Sequence, residues 1–246
     1  MDASYISFSA PGLSGVILKT GSDCMFDPVS LLSIPDDPAL CCKKGRTVQA
    51  GVDGRYFVKR ICHKSLWDSF RHLFMCSRPR HCLRAAGLLA EACVDTPRVL
   101  AALRKSRMGL PGYDYLITED ISADVIFADK MPLDDALLPA LADLLARMHA
   151  HGIFHGDVNL RNLYRRHTGV WGVIDLDGCR LSRFPVSRSL RRKELARLAS
   201  SFMKLAPEKE DIPRKMAEAY AASTGFDPDT PGYRKRIRYL VERKRK

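Results

Sequence analysis

One eight-residue string restricts the fold more than any other: His155-Gly156-Asp157-Val158-Asn159-Leu160-Arg161-Asn162. It follows an apolar stripe at helical spacing, Leu137, Leu141, Leu144, Leu145 and Met148, with Asp143 and Arg147 off the stripe. A second string, Val173-Ile174-Asp175-Leu176-Asp177-Gly178, puts an acid 18 residues after Asp157. The first string fits His-x-Asp-x-x-x-x-Asn, a loop whose Asp accepts a hydroxyl proton and whose Asn holds magnesium. The second fits a strand, Trp171-Gly172-Val173-Ile174, that ends in a metal-binding Asp. A loop after a helix presents Asp157 and Asn162, and the strand returns Asp175 beside them. Three oxygen donors then converge where a hard cation and a triphosphate fit. His-x-Asp alone recurs by chance, but both strings at this spacing do not arise easily from an unrelated polar loop.

The rest of the chain is ordered around that cluster. Upstream it is rich in strand signals: Gly15–Lys19, Cys41 to Val52, and Arg55 to Ile61, with the turn-forming pair Asp53-Gly54 between the last two. Residues 63–92 read as helix, interrupted at Ser77-Arg78-Pro79, with Pro79 in the first turn of a new helix that runs to about Ala92. Val99 to Leu103 and Tyr113 to Glu119 read as strands around a turn at Gly109-Leu110-Pro111-Gly112. From about Pro132 the period is that of helices. Strands first and helices last predict an α+β chain of two lobes joined near residue 119, with the N-lobe over 1–118 and the C-lobe over 119–246.

Charge narrows the partners. Forty Lys and Arg against 28 Asp and Glu give a formal net charge of +12, which suits an anionic partner. The surplus is local: residues 113–143 carry a net −7, and residues 234–246 a net +7. No run of 18 apolar residues exists, and Met1-Asp2-Ala3-Ser4 lacks the pattern of a secretory signal. Eight cysteines without a Cys-x-x-Cys pair read as free thiols of a reducing compartment.

With these features in place, the sequence resembles the lipopolysaccharide kinase family, protein-kinase-like enzymes that phosphorylate heptose or Kdo sugars of the lipopolysaccharide inner core. The resemblance covers about residues 41–205. It rests on Thr47-Val48-Gln49-Ala50-Gly51-Val52, Tyr56-Phe57-Val58-Lys59-Arg60, Thr96 to Ala101, Tyr115 to Glu119, Met148 to Asp157, and Leu195-Ala196-Arg197-Leu198. It implies a two-lobed protein-kinase-like fold with a strand-rich N-lobe and a mainly helical C-lobe. By position, Lys59 matches the lysine that contacts ATP phosphates, Asp157 the catalytic base, and Asn162 and Asp175 the magnesium ligands. The nucleotide-covering turn falls at Lys43-Lys44-Gly45-Arg46-Thr47, and Tyr115 to Ile121, including Glu119, matches the linker that meets adenine. Three departures stand out. No Gly-x-Gly-x-x-Gly covers the nucleotide. No Glu sits early in the helix over 80–92, where Leu83 and Arg84 stand and Glu91 comes too late to partner Lys59. Gly156 stands where protein kinases have Arg. Only about ten residues separate Asp177 from a basic helix starting near Ser187, too few for a peptide-docking segment but enough for a small or glycolipid acceptor.

The expected activity is therefore transfer of phosphate from ATP, with Mg2+, to a sugar hydroxyl of the inner core. Arg188, Arg191 and Arg192, with Arg183 and Lys193, are candidates to grip the anionic glycolipid acceptor. The basic segment from Arg234 to Lys246 is a candidate contact with an anionic membrane. A peripheral place on the cytoplasmic side of the inner membrane follows from the resemblance. The rival readings are a cytosolic small-molecule kinase of the aminoglycoside or choline type, and a catalytically dead kinase fold used as a binding module. Nucleic-acid binding lacks a recognition motif.

Overall fold

Alternating apolar residues, paired by tight turns, build the first part of the chain. The structure, a computed structural model, describes residues 5–18, 28–32, 42–44, 47–63, 77–107, 110–134 and 136–243. These divide into two compact units: Met1–Ala86 with Pro97–Ala123, and Gly87–Thr96 with Asp124–Lys246.

The first unit carries strands β1 (Tyr5–Ala10), β2 (Leu13–Leu18), β3 (Cys42–Lys44), β4 (Thr47–Val52), β5 (Tyr56–Cys62), β6 (Val99–Arg107) and β7 (Leu110–Glu119), with a short helix α1 (Pro28–Leu31). They form one antiparallel sheet in the order β1-β2-β6-β7-β5-β4-β3. The Asp53-Gly54 turn closes the β4–β5 hairpin: both residues have positive φ, and Arg55 N–H donates to Val52 O at 3.0 Å. Leu13, Leu18, Val58, Leu103, Tyr115 and Ile117 of the sheet cluster with Leu31 and Leu32 of the α1 segment in one buried core. Of the turn expected at 109–112, residues 110–112 lie in a strand, with Arg107 paired to Leu110. Leu110 already opens β7, and a register shift between Lys105 and Ser106 absorbs Pro111, whose missing N–H cannot join a regular ladder. Strand β1 was not legible, because Ile6 and Phe8 alternate with serines on an edge strand of low apolar content.

Helix α2 (Arg78–Glu91) has Pro79 in its first turn, with Ser77 ahead of it accepting at Oγ from Arg80 N–H and at its carbonyl from His81 N–H. Part of the expected helix over 63–92, residues 64–76, lies outside the described residues. The second unit holds α3 (Leu137–Ala150), α4 (Arg188–Leu205), α5 (Ile212–Thr224) and α6 (Pro231–Glu242). It also has the strands β8 (Val125–Phe127), β9 (Ile153–Phe154), β10 (Leu163–Arg166), β11 (Trp171–Val173) and β12 (Arg180–Leu181). They form a three-stranded sheet, β11-β10-β8, and a β9–β12 pair. All five residues of the predicted α3 stripe are buried, and α4, α5 and α6 bury Leu195, Leu198, Phe202, Met216, Tyr220, Tyr233 and Ile237 against the same core. Each such leucine contributes about 1.5–3 kcal/mol of burial. That core holds α3 and α4 as the rigid supports of the loop between β9 and β10.

Candidate active site

The loop running from His155 to Asn162 hangs between two rigid supports, α4 and the end of β11. His155 is fully buried. Its Nε2 lies 2.9 Å from Ile174 O, and because a carbonyl only accepts, Nε2 carries the proton. Nδ1 is then left to accept the Asp157 N–H at 3.4 Å. Ile174 N–H donates to Asn162 O at 2.9 Å, so the strand end carrying Asp175 is tied to both ends of the loop. His155 thus braces the loop.

Asp157 and Asn162 are joined through the backbone. Asn162 Nδ2 donates to Asp157 O at 2.9 Å, which leaves Asn162 Oδ1 as the atom that can face a cation. Asn159 folds back in the same way: its Nδ2 donates to Asp157 O and its Oδ1 accepts Arg161 N–H. Asp175 takes up a left-handed conformation, φ 63° and ψ 61°, that costs an ordinary residue about 1–2 kcal/mol. Its side chain is exposed, and Asp177 follows in a 3-10 turn, Leu176–Gly178. The Asp175 carboxylate and the Asn162 amide oxygen are each oxygen donors of the hard kind that magnesium takes, one or two of which, with phosphate, complete its shell.

Gly156 has a geometric reason to be glycine. Its φ is +85°, and a Cβ there would come within 2.7 Å of Gly178 O. No arginine side chain fits that backbone, so the departure from the protein-kinase pattern comes from the close approach of the Asp175 turn.

Helix α4 grips the other side of the loop with one face. Glu194, fully buried, accepts His155 N–H at 3.1 Å and Gly156 N–H at 2.7 Å. One turn later Arg197 Nη1 donates to Asp157 Oδ1 at 2.8 Å, and Ser201 Oγ accepts Leu160 N–H at 3.3 Å. Positions 194, 197 and 201 share a face at i, i+3 and i+7. Glu194 also accepts from His149 Nε2 at 3.0 Å, and His149 Nδ1 lies 2.7 Å from the Tyr220 hydroxyl. Burial pushes the Tyr220 phenol up to about 12, so its proton stays available to His149. Sequence reasoning missed Glu194 and Arg197. The signal was present: Glu194 is the single acid of a helix with four arginines and two lysines.

Lys59 lies in β5 opposite Gln49 and Leu116, only 8% exposed, a burial lysine tolerates only with partners. Lys43 and Lys44 lie in β3, across the hairpin from Val48 and Thr47, while Gly45 and Arg46 lie outside the described residues. Glu119 ends β7, where its Oε1 accepts Arg98 N–H at 3.0 Å and its own N–H donates to Arg98 O. Glu91 is the exposed last residue of α2. Arg188 and Arg192 lie over the Phe226 ring, at 5.5 and 5.0 Å, and Arg191 Nε donates to Val186 O at 2.7 Å.

An antiparallel sheet unit carrying a buried strand lysine, and a helical unit presenting this loop and the Asp175 turn, define a protein-kinase-like α+β fold. A solved structure of WaaP in complex with acyl carrier protein has the same fold, with a TM-score of 0.62 over 88% of this chain and 92% of that chain at 19% identity. Residues 42–220 match the lipopolysaccharide kinase (Kdo/WaaP) family, and the chain belongs to it. A 3-deoxy-D-manno-octulosonic acid kinase of Vibrio parahaemolyticus serotype O3:K6 (strain RIMD 2210633) is 32% identical over 120 residues, 47% of this chain. That match spans 48% of the relative, about half its length.

Proposed function

We propose that the chain is an ATP-dependent kinase that phosphorylates a sugar hydroxyl of the lipopolysaccharide inner core, with Kdo as the favoured sugar. The loop geometry carries the reading: a buried frame of Glu194, His149 and His155 fixes a loop whose one exposed carboxylate is that of Asp157. Family membership and the likeness to a Kdo kinase support the choice of acceptor.

In this reading Asp157 orients the acceptor hydroxyl and takes its proton as the oxygen attacks the γ-phosphorus in line. Asn162 and Asp175 hold magnesium, which when bound neutralises charge on the phosphates. Lys59 offers an ammonium to the nucleotide phosphates, with Lys43, Lys44, Gly45, Arg46 and Thr47 as the covering turn and Glu119 at the adenine end. Arg188, Arg191 and Arg192 serve the acceptor's anionic groups with whatever donors their contacts to Phe226 and Val186 leave.

The test is transfer of label from γ-labelled ATP to a purified Kdo-bearing lipid A precursor. Magnesium-dependent labelling of the lipid, and none of aminoglycoside or choline, is expected. Labelling of the cationic small molecules alone would replace the reading, and nucleotide binding without any transfer would make the chain a binding module.

A further inference from the structure

Protein cations near a transferring phosphate have to come from somewhere, and the loop itself carries a single basic residue. Two residues after Asp157 stands Asn159, whose amide is used at both ends within the loop. The one basic residue of the loop, Arg161, is 81% exposed at its side chain and lies 3.6 Å from Asp129. The cation that does reach the Asp157 carboxylate comes from helix α4, as Arg197.

We infer that Arg197 is a positioning residue for the transfer: it holds Asp157 by Oδ1 so that Oδ2 is the oxygen that receives the acceptor's proton. This rests on the phosphotransfer reading and deepens it. Three observations carry it. Arg197 Nη1 meets Oδ1 at 2.8 Å, and no contact among the described residues engages Oδ2. The Asp157 side chain is 65% exposed and that of Arg197 36%, so the pair adds little to stability and its consequence is orientation. Arg197 stands one turn from Glu194, which fixes the two peptide groups ahead of Asp157. Carboxylate and backbone are therefore set by one rigid helix, with the single Nη1–Oδ1 bond anchoring one oxygen and leaving the other to the acceptor. During the step the acceptor O–H bond breaks and its proton passes to Oδ2. The new O–P bond forms as the bond from phosphorus to the β-phosphate oxygen breaks, and ADP leaves with that electron pair. The proton on Asp157 is returned to water after product leaves.

The test is a kinetic cycle on the full chain with ATP and the Kdo-bearing lipid: wild type, Arg197→Met, Arg197→Lys, Asp157→Asn, and Asp157→Asn with Arg197→Met. Loss of orientation at a general base is expected to lower kcat about 10²-fold in Arg197→Met, with KM for ATP unchanged and thermal stability close to that of wild type. Arg197→Lys keeps the charge and recovers part of the rate. In the Asp157→Asn background, Arg197→Met has no further effect on kcat, because Arg197 acts through Asp157. Wild-type kcat in Arg197→Met, or losses that multiply in the double variant, would overturn the inference while leaving the kinase reading intact. If Arg197→Met does not fold, the Lys variant and its pairing with Asp157→Asn decide on the same criteria. Wild type that transfers no phosphate overturns the kinase reading, and this inference with it.

Discussion

At Asp157 one carboxylate oxygen is held by a guanidinium and the side chain otherwise faces solvent, which is how a base that must meet an incoming hydroxyl has to stand. Asp157→Asn should lower kcat by about 10²–10⁴-fold while ATP binding, measured by calorimetry, stays near wild type. The motif made this residue legible because its spacing to Asn162 and Asp175 is a chain-length constraint. The groups that support it were not legible, since Glu194 and Tyr220 are distant in sequence and meet His149 only after α3, α4 and α5 pack. Their environment has measurable consequences. Burial, with the fields of Glu194, Asp175 and Asp177, pushes the Cys179 thiol up to about 12. Iodoacetamide at pH 8 should therefore label the exposed Cys93 and leave Cys179 unmodified until the chain is unfolded, as read by peptide mass mapping. The raised Tyr220 acts on stability with a definite sign. The unfolded phenol loses its proton near pH 10 and the folded one near 12, so this contribution is whole below pH 10 and is lost as pH rises from there through 12. In Tyr220→Phe the alkaline fall of unfolding free energy should be shallower, by up to about 1.4 kcal/mol per pH unit in that window.

Helix α4 shows most clearly what an element adds to its residues. Its inner face clamps the loop at three points, and its first turn is pinned from outside by Phe226, under Arg188 and Arg192. The apolar period of α3 stands out in the sequence because nine of its fourteen residues are leucine or alanine and the leucines recur at helical spacing. In α4 the period is hidden: the buried positions include a glutamate and small residues, and three of its four arginines crowd its N-terminal end. The sequence offers its start as a basic segment to grip an anionic acceptor, and the structure adds an aromatic ring beneath two of its guanidinium groups. That gives the acceptor-binding proposal a control. Arg188, Arg191 and Arg192 changed together to Ser should raise the acceptor KM, and less so at high salt, while sparing KM for ATP. Phe226→Leu removes the ring and keeps the charges, so its acceptor KM should stay near wild type while it loses about 0.5–1 kcal/mol for each cation–π contact. An acceptor KM raised equally in both variants would assign the arginines to holding α4.

For the molecule as a whole, the sheet unit and the helical unit were legible in order and in kind, from turn signals in the first and helical periodicity in the second. Short strands such as β9 and β12 were not, because two residues carry no period. Basic charge gathers at the end of the chain, where α6 leaves Lys235, Arg238, Tyr239 and Arg243 exposed while Arg234 is engaged by Asp229. Among the described residues no helix is long and apolar enough to cross a membrane. If the exposed basic face of α6 meets an anionic leaflet, Lys235→Glu with Arg238→Glu should weaken sedimentation with phosphatidylglycerol vesicles but not with phosphatidylcholine vesicles.

In the proposed reading Asp157 directs a phosphate onto the inner-core sugar. Mass spectrometry of lipopolysaccharide from cells lacking this chain tests it most directly, with the wild-type chain and Asp157→Asn each restored. One phosphate on the inner core should disappear with the chain, return with wild type, and stay absent with Asp157→Asn. An inner core that keeps every phosphate without the chain, or regains the missing one with Asp157→Asn, would contradict it.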